Sequence, residues 1–153
     1  MTANGALSHI DISVGYPERS IPFYDALLSG LGYTRMVTGH PGFGGPHPRR
    51  AWWSLTYADG SRFGIEVRPA GDTKRERRYD RYEPGPHHLA FHANNREVVD
   101  EIYRAMLKID ADILDPPVDY SGQSGYGEGY YAVFVADPDG VKLEVVHQPQ
   151  APV

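Results

Sequence analysis

The chain has 153 residues, a formal net charge of −5, 41 % apolar and 23 % charged residues, and no cysteine. That length suits one ordinary domain, or two very small ones that need each other. The acidic balance argues against nucleic acid as a partner, and the missing thiols exclude disulfides, thiolate nucleophiles and cysteine-based zinc or iron–sulfur sites.

Any metal ion must therefore be held by His, Asp and Glu. The amino-terminal MTANGALSHI has no apolar signal core, and no apolar run approaches membrane-spanning length. A cytoplasmic protein with no membrane partner is expected.

LSHIDISV, residues 7–14, alternates Ile10, Ile12 and Val14 with His9, Asp11 and Ser13, the pattern of a strand with one apolar and one polar face. PERSIPFYDALLSGLGY then sets Ile21, Tyr24, Leu28 and Leu31 at helical spacing, with Pro17 and Pro22 fitting near its start and Gly30–Gly32 ending it. Strands are expected at 34–38, 51–57 and 62–68, the last two joined by the turn signal Ala58-Asp59-Gly60.

The second half keeps that order. HHLAFHA reads as a strand, and Asn94 followed by Glu97 is a capping-box pattern opening a helix whose stripe is Val99, Ile102, Met106 and Ile109. Strands are expected at 112–118, 130–136 and 141–147, the last pair joined by Asp137-Pro138-Asp139-Gly140. Adding 78 to Ile21, Tyr24, Leu28 and Leu31 gives Val99, Ile102, Met106 and Ile109, so a strand–helix–three-strand unit is repeated. The expected boundaries are 6–70 and 86–148 within a single domain spanning 1–153, with a charge-dense, solvated linker at 71–85. Each unit is too small to bury much core alone. The units are expected to pack on each other or across a homodimer.

Each repeat places one histidine and one glutamate on polar strand faces. His9 and Glu66 come from the first; His88 and Glu144, offset by 79 and 78 residues, come from the second. Two neutral imidazoles and two carboxylates suit one hard-to-borderline divalent ion (Zn, Ni, Fe, Mn or Mg) with room for exogenous oxygen ligands. A lone polar-face histidine is usually just hydrogen-bonded; four residues at equivalent places favour a metal site.

LSHIDISV with PFYDALLSGLGY, PHHLAFHA, and YYAVFVADPDGVKLEVV together resemble the vicinal oxygen chelate superfamily over roughly residues 6–148. This family holds glyoxalase I, fosfomycin-resistance proteins, methylmalonyl-CoA epimerase, extradiol dioxygenases and bleomycin-resistance proteins. The resemblance implies an α+β fold of two βαβββ modules in tandem, forming an open cupped sheet around a divalent metal ion. His9, Glu66, His88 and Glu144 match the family's four ligand positions, and Glu at the second is similar to the glyoxalase I pattern. The implied activity is metal-dependent isomerase or lyase chemistry on a small substrate with vicinal oxygens, with Glu66 or Glu144 as the base. An extradiol ring-cleaving dioxygenase with ferrous iron at His9, His88 and Glu144 is the alternative, and a non-catalytic drug-sequestering protein is the rival of another class.

Three further residues are expected at the substrate. If Ala136 pairs with Val141, Val133 lies opposite Glu144 and Tyr131 shares its face. Tyr126, in the glycine-dense loop SGQSGYGEGYY, either closes over the substrate or packs a turn, and that loop lacks the following helix a phosphate cradle needs. His92 shares the face of His88, whereas His87 points to the opposite face with Ser8 as its repeat counterpart. His40 and His47 sit among glycines and prolines in a cup-edge loop.

Overall fold

The computed structural model describes residues 5–36 and 49–149, so His40 and His47 lie outside the described residues. The chain divides into two compact units, Met1–Arg77 and Arg78–Val153.

In the first unit, β1 (His9–Val14) leads into α1 (Pro17–Gly30), followed by β2 (Thr34–Arg35), β3 (Ala51–Thr56) and β4 (Arg62–Pro69). The sheet order is β1-β4-β3-β2, with β1 parallel to β4 and the other pairs antiparallel. Pro17 at the start of α1 has no N–H to satisfy, which suits a helix whose N-cap, Tyr16, makes no side-chain cap. Pro22 sits inside the helix and is exposed. The buried stripe of α1 is Ser20, Phe23, Tyr24, Leu27 and Leu28. The expected stripe is thus corrected: Ile21 and Leu31 are only half-buried, because Phe23 and Leu27 carry more of the apolar surface. The Tyr24 ring meets Trp53, 6.2 Å away between centroids, over a core that includes Ile65 and Val67.

In the second unit, β5 (Leu89–His92) precedes α2 (Arg96–Lys108), then β6 (Asp112–Asp119), β7 (Tyr131–Ala136) and β8 (Lys142–His147), in sheet order β5-β8-β7-β6. This is the expected α+β architecture of two strand–helix–three-strand units. Val99, Ile102 and Met106 of α2 are buried, as are Val133, Val135, Leu143 and Val145 of the sheet. Ile109 instead caps the helix and is 42 % exposed. The N-cap is Asn95, whose side chain accepts from Val98 N at 2.9 Å, and not Asn94. The capping box expected from Asn94 and Glu97 is therefore not formed: the N3 residue is Val98, which has no side-chain acceptor to return the bond, and Asn95 caps alone.

The charged stretch at 71–85 is largely exposed, as expected, and is anchored at its middle. Tyr79 N donates to Asp139 O of the β7–β8 turn at 2.8 Å, and Arg78 pairs with Asp112 at the start of β6 at 3.3 Å.

That turn sets the register of the last hairpin. Gly140 N donates to Asp137 O at 2.9 Å, and Asp137 N donates to Val141 O at 3.0 Å. Gly140, at φ 94°, takes the left-handed step that a three-residue loop with a bulge requires. The side-chain Oδ1 of Asp137 accepts from Asp139 N and Val141 N.

Candidate metal and substrate site

Phe134, not Val133, stands opposite Glu144. The expected pairing of Ala136 with Val141 is off by one, since Asp137 closes the loop with Val141. A one-residue slip moves every side chain to the other face. Tyr131 therefore lies away from Glu144 and donates from its hydroxyl to Asp100 of α2 at 2.8 Å. Tyr130 takes the place expected of Tyr131. Its hydroxyl donates to Oε1 of Glu144, and its own pKa is pushed far up, first by burial and then by that hydrogen bond.

Parallel strand pairing places the two glutamates alike. Glu66 stands opposite Asp11, two residues after His9, and Glu144 stands opposite Ala90, two residues after His88. Both carboxylates are buried, at 5 % and 2 % exposure. A buried carboxylate needs partners, and the two units provide different ones.

In the second unit, Nε2 of His88 lies 3.0 Å from Oε2 of Glu144, while Tyr130 engages the other oxygen. His87, expected on the opposite face, brings its Nδ1 to 2.8 Å from Nδ1 of His88. Partial desolvation, then the charges of His88, Lys142 and Arg81, hold its pKa below the usual histidine value. Tyr126 stacks on Tyr120 at 4.9 Å and meets Tyr130 edge-on at 4.8 Å. Tyr120 in turn packs against Phe134 at 5.9 Å. These rings line the same sheet face as Glu144, and Tyr126 keeps 37 % exposure. His92 shares that face opposite Val146 and is exposed.

In the first unit, Arg50 offsets Glu66 from 3.7 Å, and Arg68 pairs with Asp11 at 3.0 Å. The indole of Trp52 fills the space beside Gly64 that a side chain would take, with its ring 5.8 Å from that of His9. His9 also has Ser8 Oγ 3.3 Å from its Nδ1. The sequence reading missed Arg50 and Trp52, and set Tyr131 in place of Tyr130 beside Glu144. The choice between Tyr131 and Tyr130 turns on the length of the Asp-Pro-Asp-Gly loop, whereas Arg50 and Trp52 carried no spacing signal.

The donors can be tested against a divalent ion. Two ligands at right angles, each about 2.1 Å from an octahedral ion, lie about 3.0 Å apart. The His88–Glu144 pair has that separation and one borderline nitrogen with one hard oxygen, so it fits. Glu66 and His9 are the right donor types, but Arg50 competes for the Glu66 charge. Among the described residues no group of three or more such side chains is gathered.

Known proteins share this architecture. A solved structure of a candidate glyoxalase from Bacillus halodurans is 29 % identical, covers 95 % of this chain and 97 % of its own, and superposes with a TM-score of 0.72. A glyoxalase-related enzyme from Fulvimarina pelagi, 20 % identical, shares the fold at a TM-score of 0.62 over 97 % of this chain and 92 % of its own. The uncharacterized protein YqjT of Bacillus subtilis (strain 168) is 29 % identical over 142 residues, 92 % of this chain and 97 % of that protein. The profile of one family matches residues 6–145, and on that match the chain belongs to the Glyoxalase/Bleomycin resistance protein/Dioxygenase superfamily.

Proposed function

We propose that the chain is a divalent-metal-dependent enzyme acting on a small substrate with two adjacent oxygens, by isomerase- or lyase-type proton chemistry. The observation that carries this reading is the His88–Glu144 donor pair, 3.0 Å apart on a buried carboxylate whose second oxygen is already engaged by Tyr130. His88 and Glu144 would hold the ion. His9 and Glu66 are the further donors proposed, because they stand at the equivalent places of the first unit. When bound, such an ion supplies Lewis-acid stabilisation of an enediolate-like oxyanion.

The chain's own residues do the rest. Tyr130 fixes the rotation of the Glu144 carboxylate and leaves Oε2 turned to His88. Glu66 or Glu144 accepts the proton from the carbon beside the substrate carbonyl. Tyr126 and His92 are the proposed substrate contacts, the first through its half-open ring and the second through an exposed imidazole. Tyr130 replaces Tyr131 as the hydroxyl beside the reacting oxygens.

A second reading has one observation in its favour. Arg50 already offsets Glu66, which leaves His9, His88 and Glu144, the two-histidine, one-carboxylate set of a ferrous dioxygenase. Metal analysis of freshly purified protein and of H88A, E144Q and E66Q separates the readings. The main proposal expects near-stoichiometric metal in the wild type and its loss in the first two variants. Undiminished metal in H88A would sink the site. Iron that survives E66Q, together with oxygen uptake on catechols, selects the dioxygenase. Tight ligand binding by metal-free wild type, without turnover, selects a sequestering protein.

A further inference from the structure

Each unit engages its histidine at the same ring atom, from the side chain that precedes it. Ser8 Oγ lies 3.3 Å from Nδ1 of His9. Nδ1 of His87 lies 2.8 Å from Nδ1 of His88. Both preceding residues fall just outside the strand ladders, which begin at His9 and include Leu89. Their side chains are therefore not bound to the strict alternation of faces that holds within a strand. The arrangement recurs although the residue types differ.

We propose that His87 is a positioning residue that sets the ring rotation and tautomer of His88, with Ser8 setting the ring rotation of His9. Two Nδ1 atoms 2.8 Å apart share one hydrogen, so one ring donates and the other accepts. When His87 carries its hydrogen on Nε2, its Nδ1 accepts and His88 is held with its hydrogen on Nδ1. Nε2 of His88 then presents a lone pair to Oε2 of Glu144, 3.0 Å away. Two acceptors at that distance repel unless a cation stands between them. In the opposite arrangement, His88 Nε2–H donates to Glu144 and the pair is closed. His87 thus decides whether the His88–Glu144 pair is open to a cation. Its own ring is braced edge-on by Tyr82, at 5.7 Å between centroids. Ser8 can donate or accept, so it fixes only the rotation of His9.

The functional meaning rests on the divalent-ion reading of His88 and Glu144, but the positioning can be tested apart from it. H87F keeps a ring against Tyr82 and has no nitrogen; H87N returns a hydrogen-bonding group near the place of Nδ1. Nitrogen NMR of the imidazoles in metal-free full-length protein reads the His88 tautomer, and calorimetric titration with Zn2+ reads affinity. H87F is expected to lose the single-tautomer pattern at His88 and to bind Zn2+ about 10–100-fold more weakly, with H87N recovering at least part of both. His88 nitrogen shifts unchanged in H87F would overturn the proposal. So would loss in H87F without any recovery in H87N, since ring packing would then explain the effect. A wild type that binds no Zn2+ counts against the metal reading, while the nitrogen shifts still decide the role of His87.

Discussion

Replacing Gly64 with alanine is expected to destabilise the first unit through a single contact. Gly64 lies in β4, paired on both sides, with His9 of β1 and Ser54 of β3 as its neighbours. A methyl carbon there would stand 2.0 Å from Cζ2 and 2.4 Å from Cη2 of Trp52. Ordinary carbon–carbon contact begins near 3.5 Å, so something must move by about 1.5 Å. The backbone is held in two ladders, which leaves the indole to yield. Trp52 is only 8 % exposed, so the displaced ring loses packing. Overpacking of this kind costs about 1–3 kcal/mol. Removing a glycine from a strand interior returns about 0.5–1 kcal/mol, and no left-handed backbone is at stake at this position. The net expectation is a loss of about 1–2 kcal/mol, or a fall in Tm of about 2–8 °C for a chain of this size. Thermal unfolding of G64A in the wild-type and W52L backgrounds checks the cause. In W52L the clash is gone, and G64A should be neutral or stabilising. An equal penalty in both backgrounds, or a more stable G64A single variant, would refute the argument.

Y130F removes the hydroxyl that donates to the buried Glu144 and should cost about 1.5–3 kcal/mol by urea unfolding at neutral pH; a loss below about 0.5 kcal/mol, the range of ordinary surface changes, would contradict it. N95A should lose about 1 kcal/mol with the α2 cap, whereas N94A should stay within about 0.5 kcal/mol, as unfolding of the two variants side by side will show. The Asp119 carboxyl is held down from 3.8 to about 2, first by Ser121 and then by Arg96. A depressed folded pKa stabilises above the unfolded value, and that gain fades as pH falls from about 4 through about 2. D119N should therefore flatten that acid limb of unfolding free energy measured against pH, and an unchanged limb would dismiss the assignment.

How much of this was legible in the sequence depends on what each signal measures. Strand alternation and helical spacing report burial, and they gave the order of elements in both units, because burial is what periodicity encodes. The stripe of α1 slipped because Phe23 and Leu27 were as apolar as the residues chosen at 78-residue offsets. The register of β7 on β8 slipped for a different reason. Asp137-Pro138-Asp139-Gly140 marks a turn in either register, and only the left-handed step at Gly140 makes the loop three residues long. That one backbone angle exchanges Tyr131 for Tyr130 beside Glu144.

The repeat itself was legible, but the divergence within it was not, because it lies in pairs far apart in sequence. Equivalent glutamates stand opposite Ala90 and Phe134 in one unit, and opposite Asp11 and Trp52 in the other. The small and apolar neighbours of Glu144 leave its carboxyl to be met by Tyr130 and His88, a hydroxyl and an imidazole in place of a permanent cation. The neighbours of Glu66 include a second carboxylate, and a guanidinium is the answer on each: Arg50 for Glu66 and Arg68 for Asp11. A carboxylate offset by a fixed cation has less attraction left for a mobile one. The repeat thus supplies two equivalently placed carboxylates with unlike neighbours, and of the two it is Glu144, with no guanidinium beside it, that has the stronger claim on the proposed ion or substrate proton.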